Sequence, residues 1–244
     1  MTPRAWLPAY LRAREREGRL LTDDLVAGLP DLPRAHPLRR EWQARAASAD
    51  RLLAYIRGLD RPLSIVDAGC GNGWLTASLA DLPGTTVVGL DTNDVELRQA
   101  LRVFRDRSNL SFAAGDLETM AGPAGPVDVV VLASVIQYVA DLAVLLARLR
   151  GWLADDGELH ILDSPIYRPA DVAAAGDRSR TYYASIGVPE MADAYHHHTW
   201  DEFAPFSPTV LVAPHPTAGR FLRRLSGRVE TPFPWLAIGR EVPP

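Results

Sequence analysis

The residues of this sequence that could form a chemical site are a glycine-rich turn and two aspartates that follow it along the chain. The segment IVDAGCGNGW, residues 65 to 74, places Gly69, Gly71 and Gly73 at every second position after an apolar run. In open parallel sheets, ligands bind at the carboxyl ends of strands, and glycines in the first strand-to-helix turn let the backbone approach them. The next apolar run ends in Asp91, where a carboxylate can accept hydrogen bonds from ribose hydroxyls. The pattern predicts a nucleotide-type cofactor.

The spacing of the glycines separates two classes of cofactor. A dinucleotide fingerprint needs a glycine at position 74 for close helix–strand packing, but that residue is Trp74. A further strand end, in AAGDLE, carries Asp116. Its carboxylate can accept from an adenine amino group while the next backbone N–H donates to the ring. An NAD(P)-dependent oxidoreductase is therefore kept only as a less favoured alternative.

Short apolar runs alternating with helical patterns must position these residues. Strands are predicted at residues 63–69, 85–91, 110–116, 127–134 and 157–164, and helices at residues 74–82, 94–107 and 141–153, the last closed by DDG. Strands that are apolar on both faces and alternate with helices imply a parallel sheet covered on both sides. Two more strands are predicted at 209–214 and 233–240, the second at an antiparallel edge.

The two ends of the chain are expected to cover this core. Apolar residues at steps of three and four predict a helix over 36–57, with a shorter helix near Trp6 and a helix start at Thr22. Polar, aromatic and proline residues dominate 165–206, a composition that suggests a lid with some helix over 170–175. We therefore predict one domain over 1–244, divided into a helical cap (1–60), a cofactor-binding core (61–164) and a lid with the last two strands (165–244).

Five motifs within residues 62–164 resemble one family. VDAGCGNG, VVGLD, AAGDLE, VDVVVLASVIQYVAD and LADDGELHILD have the order and spacing of the class I S-adenosylmethionine-dependent methyltransferases. The resemblance implies an α/β fold: a doubly wound, Rossmann-like, seven-stranded, mostly parallel sheet with helices on both faces, an N-terminal helical cap and a lid insertion after strand five. It implies S-adenosylmethionine as cofactor and methyl transfer by in-line displacement. The acidic net charge and the aromatic residues of 165–206 favour a small-molecule acceptor, and we expect the methylated atom to be oxygen. A non-catalytic or non-methylating S-adenosylmethionine-binding protein stays open as the alternative.

The resemblance also assigns roles to residues. The expected cofactor-binding residues are Asp67, Gly69, Cys70, Gly71, Gly73, Asp91, Thr92, Asp116, Leu117, Ser134 and Gln137, and the residue pattern HPLRREW of the cap adds Arg39. Asp67 and the glycine turn would lie under the methionine part, Asp91 would bind the ribose, Asp116 and Leu117 the adenine, and Ser134 to Gln137 would border the site. Cys70 is interpreted as a small packing residue rather than a nucleophile. Arg39 could bind the methionine carboxylate, although a solvated Arg39 is equally compatible with the pattern.

The acceptor side is less well defined. A general base with a pKa near the operating pH would assist an oxygen or carbon nucleophile, which points to histidine. Three consecutive histidines, His196 to His198, alternate sides if the segment is extended, so at most one or two can face a pocket. His197 is the nominal candidate, and Tyr138 stands where the family places substrate-side residues. A structural or surface role for the histidines stays open.

Composition limits the remaining classes of partner and site. The net charge is −4, which gives no electrostatic reason to expect nucleic acid. Cys70 is the one cysteine, so no disulfide framework is predicted, and no spacing of ligands predicts a metal site. No apolar stretch approaches about 18 residues. We therefore expect a soluble, cytoplasmic protein with no membrane partner, and a homodimer is one option for its oligomeric state.

Overall fold

The computed structural model describes residues 5–213 and 231–240, and within them a seven-stranded sheet forms the centre. Its strands are β1 (Leu63–Ala68), β2 (Thr85–Asp91), β3 (Leu110–Ala114), β4 (Val127–Ala133), β5 (Leu153–Leu162), β6 (Thr209–Val212) and β7 (Trp235–Gly239). Their order is β3-β2-β1-β4-β5-β7-β6. Strands β1 to β5 are parallel, and β7 is antiparallel to both of its neighbours. The order reverses between β1 and β4, where such sheets leave a crevice for ligands.

Helices cover both faces of this sheet. Their bounds are α1 (Leu7–Arg16), α2 (Asp23–Ala27), α3 (Arg39–Arg57), α4 (Trp74–Ala80), α5 (Asp94–Val103), α6 (Leu142–Arg150), α7 (Val172–Ser185) and α8 (Trp200–Phe203). Leu145 and Leu149 of α6 are buried in one apolar cluster with β4 and β5. Leu52 of α3 and Leu79 of α4 are buried in another with β1. The predicted doubly wound, mostly parallel α/β architecture is confirmed.

The region between β4 and β5 differs from the prediction. DDG was expected to close a helix over 141–153, but α6 ends at Arg150 and the DDG residues lie inside β5. Leu153 pairs with Val127, and the register then shifts so that Glu158 pairs with Val129. The intervening residues form a bulge in the strand. Because their composition is typical of a loop, the sequence pattern did not indicate that they belong to a strand.

The order of the last two strands also differs. The strand predicted over 233–240 is antiparallel as expected, but it is not at the edge, because β7 lies between β5 and β6. Burial explains the difference: Trp235 to Ile238 are all buried, whereas Val210 of β6 is 47% exposed. A continuously apolar strand is stable with a partner on each side, and the half-exposed strand takes the edge.

The ends of the chain pack over the crevice. Ala9 and Ala13 of α1 are buried against Tyr183 of α7 and against Val188 and Met191, which follow it. Helix α7 continues well beyond the short helix predicted over 170–175. Within the described ranges, no helix is long and apolar enough to cross a membrane.

Candidate functional site

A cleft of about 1320 Å³ opens at the carboxyl ends of β1, β2 and β4. Its walls come from the turn after β1, the segment after β4, and helices α1, α3 and α7. A pocket for one drug-sized ligand usually has a volume of roughly 300–1,000 Å³. The volume of the cleft exceeds what a single such ligand requires.

The turn after β1 requires its glycines. Gly69 and Gly73 have φ of 83° and 79°, and Gly71 has φ of 53°, a conformation that side chains with a Cβ rarely adopt. A Cβ on Gly69 would lie 2.4 Å from Val135, and one on Gly73 would lie 2.7 Å from Phe112. Gly69 and Gly71 line the cleft. Gly73 does not line the cleft; its missing side chain lets α4 start close to the sheet.

Asp91, at the end of β2, holds this turn in place and also faces the cleft. One carboxylate oxygen accepts the backbone N–H of Gly71 at 2.7 Å, and the other accepts that of Asn93 at 2.7 Å. Burial, and then the charge of Glu96, raise the pKa of Asp91 to about 6. Each carboxylate oxygen can accept more than one hydrogen bond, so Asp91 keeps acceptor capacity for the hydroxyls of a ligand.

Two other predicted site residues, Asp67 in β1 and Cys70 in the turn, differ in whether they line the cleft. Asp67 is buried beneath the turn, where it accepts the hydroxyl of Thr76 at 2.7 Å, and it does not line the cleft. Burial raises the pKa of Asp67 to about 7. Cys70 does line the cleft. Burial raises the pKa of its thiol well above the ordinary value, so the thiol stays protonated and its nucleophilicity is low.

At the end of β3, the neighbours of Asp116 face the cleft. Gly115 and Leu117 line it, as does Thr92 after β2. Asp116 is half-buried beside them, and its carboxylate accepts the backbone N–H of Glu118 at 3.0 Å. The predicted adenine-side residues are thus adjacent in space, with Asp116 behind the cleft wall.

The segment after β4 contributes Ser134 and Gln137 to the cleft. Ser134 has φ of 60°, and its hydroxyl donates to the carbonyl of Asp163 at 2.9 Å. The amide nitrogen of Gln137 donates to the carbonyl of Ser134 at 2.7 Å. Its amide oxygen is buried and has no hydrogen-bond partner. A buried acceptor without a partner is uncommon in folded proteins and points to a donor supplied by a ligand.

Arginines of the cap reach the cleft, but Arg39 is not among the lining residues. Arg45, six residues on, lines the cleft and donates to the hydroxyl of Ser134 at 3.3 Å. Arg14 of α1 also lines it, 3.5 Å from the carboxylate of Glu96, and its Nε is buried without a partner. The prediction from sequence missed both residues. One signal for Arg14 was its spacing of four from Tyr10, which places both on the same helix face.

The three histidines alternate, as an extended segment requires. The rings of His196 and His198 lie 6.2 Å apart on one side. His198 is buried and bonded to the carbonyls of Ile136 and Val139, at 2.9 and 3.0 Å, and to Glu202. These hydrogen bonds stabilise the 3₁₀ turn Ile136–Tyr138, and they give His198 a structural role.

His197 points the other way, toward α7. Its Nε2 is 2.9 Å from the hydroxyl oxygen of Ser179, which lines the cleft, although His197 itself does not. Burial, and then the nearby His196, lower the pKa of His197, so its imidazole is neutral near pH 7. Tyr138 lines the cleft, with its ring stacked on that of Trp6 at 5.8 Å between centroids.

Across the described part of the chain, no group of three or more His, Cys, Asp or Glu side chains is placed to hold a metal ion.

Comparisons with known proteins point to one family. Residues 65–157 match the profile of the family described as "Methyltransferase domain". A trans-aconitate 2-methyltransferase of Methylobacterium radiotolerans is 36% identical over 155 residues, which are 61% of this chain and 56% of that protein. A malonyl-[acyl-carrier protein] O-methyltransferase of Halalkalibacterium halodurans is 35% identical over 104 residues, 41% of this chain and 38% of that protein. The matches thus span about half of these relatives or less.

Solved structures share the fold over nearly the whole chain. The geranyl diphosphate C-methyltransferase of Streptomyces coelicolor A3(2), crystallised with S-adenosyl-L-homocysteine, superposes with a TM-score of 0.63 at 14% identity, covering 98% of this chain and 100% of that one. The magnesium protoporphyrin IX methyltransferase of Synechocystis PCC 6803, with bound SAH, gives 0.60 at 15% identity, covering 96% and 100%. At this identity the likeness shows the fold alone.

Proposed function

We propose that this chain, which carries a class I S-adenosylmethionine-dependent methyltransferase domain, transfers a methyl group from S-adenosylmethionine to a small-molecule acceptor. The proposal rests on the cleft where the strand order of the sheet reverses. The glycine turn lines this cleft, and Asp91 holds the turn by a hydrogen bond to the backbone N–H of Gly71. An NAD(P)-dependent enzyme is disfavoured because Trp74 stands where the fingerprint needs glycine.

The residues around the cleft fit the three parts of this cofactor. Asp91 has acceptor capacity for the ribose hydroxyls, with Thr92 beside it. The adenine would contact Leu117, with Asp116 next to it. The amino acid part would lie over the turn that includes Gly69, Cys70 and Gly71.

Two buried polar atoms in the cleft wall support the placement of the amino acid part. The Nε of Arg14 is a donor without a partner, and the amide oxygen of Gln137 is an acceptor without one. A zwitterionic amino acid supplies a carboxylate for the first and an ammonium group for the second. We therefore assign the carboxylate to Arg14 and Arg45 in place of Arg39, which does not line the cleft.

S-adenosylmethionine, when bound, supplies a methyl group on a sulfonium centre that is already electrophilic. The chain therefore needs to align the acceptor, exclude water and, where the acceptor is a hydroxyl group, receive its proton. Trp6 and Tyr138 line the cleft with their rings stacked on each other, and an acceptor bound against these apolar rings would displace water from the site. Ser179, hydrogen-bonded to the neutral His197, provides a path by which a proton of the acceptor reaches the imidazole.

We further propose that the methylated atom is oxygen. The two relatives described above are named for methylation of trans-aconitate and of the malonyl group of an acyl-carrier protein, both of which carry carboxyl groups. A carboxylate is already ionised near pH 7 and needs no base, whereas a hydroxyl acceptor loses a proton as it is methylated, and for that acceptor the neutral histidine connected to the cleft through Ser179 would serve as base. The homodimer, the absence of a nucleic-acid partner, the cytoplasmic location and the division at residues 60 and 164 stay predictions.

The test is a turnover assay with methyl-labelled S-adenosylmethionine and a panel of small carboxylic acids and phenols. Label should appear in an oxygen ester or ether. With a phenol as acceptor, only His197→Ala among the three alanine variants of His196 to His198 should lower kcat while leaving the unfolding midpoint unchanged. Cofactor binding without labelled product from any acceptor would favour the non-catalytic or non-methylating alternative. Three equal, mild effects would remove His197 from the mechanism.

A further inference from the structure

One part of the cleft, between α1 and α7, is lined by aromatic rings from four segments of the chain. Tyr138 stacks on Trp6 with an interplanar angle of 19° and a centroid distance of 5.8 Å. It meets Tyr10 and Tyr195 edge-on at 5.3 and 5.8 Å. Tyr195 also contacts Tyr183 of α7 at 5.9 Å. We call these five residues the aromatic wall; all of them line the cleft.

The aromatic wall combines ring faces with neutral hydroxyl groups. Burial raises the pKa values of Tyr10, Tyr183 and Tyr195 well above the ordinary value, so all three phenols stay protonated. None of the three hydroxyls has a hydrogen-bond partner among the described residues. Ring faces favour a flat apolar body, and free hydroxyls can bond to polar substituents at its edge.

Some charged side chains around this part of the cleft form ion pairs and others do not. Glu17 is paired with Arg19 at 2.8 Å and accepts the hydroxyl of Tyr182 at 2.5 Å. Arg178 of α7 is exposed and lines the cleft; among the described residues it has no carboxylate within ion-pair distance, and the charge of Asp171 acts on it from farther away. Arg180, two residues further on the same helix, is paired with Asp177 and lies outside the cleft. The cleft margin therefore presents, next to Ser179, a guanidinium that has no direct ion-pair partner among the described residues.

From this juxtaposition we propose that the acceptor is a planar aromatic or conjugated carboxylic acid. Its flat body lies against the aromatic wall, and a carboxylate that is not the reacting group pairs with the guanidinium of Arg178. The planar fork of arginine matches a carboxylate with two parallel hydrogen bonds. The proposal rests on the proposed function, because it assumes that the same cleft holds the cofactor and the acceptor.

The test measures binding of two matched probes, cinnamate and the uncharged cinnamamide, to the full chain saturated with S-adenosylhomocysteine. Calorimetry should show cinnamate binding about tenfold more tightly than cinnamamide, which corresponds to about 1.4 kcal/mol. Arg178→Gln should abolish this difference. Arg180→Gln, which removes the same charge from the same helix outside the cleft, is the matched control and should preserve it.

Three results would overturn the proposal: equal affinities for the acid and the amide, equal losses in the two arginine variants, or no binding of either probe to protein that binds S-adenosylhomocysteine. Tighter binding of phenyl phosphate than of cinnamate would replace the carboxylate by a phosphate and overturn it as well. Failure to bind S-adenosylhomocysteine is detected in the first titration, and it would contradict the proposed function itself.

Discussion

Replacement of Asp91 by alanine is the most informative perturbation of the cofactor site. The carboxylate accepts the N–H groups of Gly71 and Asn93, both at 2.7 Å, and we expect it to accept the ribose hydroxyls as well. A hydrogen bond to a charged group contributes about 1.5–3 kcal/mol. Loss of the ribose contacts should therefore weaken S-adenosylhomocysteine binding by about 10- to 150-fold.

The assay is calorimetric titration at pH 7.5, together with chemical denaturation to confirm that the variant is folded. Asp94→Ala is the matched control, because Asp94 lies three residues away and is exposed in an ion pair with Arg98. It should bind the ligand like the wild type. Unchanged affinity in folded Asp91→Ala would refute the ribose assignment.

The titration of Asp91 adds a second readout. Its pKa in the folded chain is about 6, raised by burial and by Glu96, and hydroxyl donors favour the ionised carboxylate. Affinity of the wild type should therefore fall as the pH decreases through about 6. Asp91→Ala should lack this dependence.

Three further substitutions test the supports of the site. Gly73→Ala should lower the free energy of unfolding by about 2–4 kcal/mol, because the new Cβ would collide with Phe112 and the backbone has a positive φ. Urea denaturation measures this free energy, and a change below about 0.5 kcal/mol would contradict the prediction. His198→Ala should cost about 1–3 kcal/mol by removing its bonds to two carbonyls; an unchanged urea midpoint would argue against that role. The pKa of Asp67 is about 7 when folded, above its ordinary 3.8, so the folded state retains a proton that the unfolded state loses, and stability should fall as the pH rises from about 4 to 7. Asp67→Asn should flatten this fall in urea titrations at several pH values.

The central sheet could be predicted from the sequence because its signals are local. Strand β2 covers the predicted residues 85–91, and the glycine turn ends β1 as expected. The bulged start of β5 could not be predicted, because its polar residues are accommodated by a register shift against β4. The order of β6 and β7 likewise depends on which of the two strands pairs with β5, and the sequence of neither strand alone determines this.

The site was predictable on the side built by strand ends and less so on the cap side. Asp91, Ser134 and Gln137 follow strands, so their positions at one sheet edge follow from topology. Arg14 and Arg45 reach the cleft only because α1 and α3 fold across it, and sequence spacing alone does not determine that packing. For the same reason the sequence did not indicate that Arg45, rather than Arg39 on the same helix, lines the cleft; a role for Arg39 stays a prediction.

Calorimetric titration of the wild-type chain with S-adenosylhomocysteine, and with NADH in parallel, tests the central claim most directly. We predict saturable binding of S-adenosylhomocysteine at one site and no binding of NADH. Binding of NADH alone, or of neither compound, would contradict the assignment of the glycine turn and of Asp91 to S-adenosylmethionine.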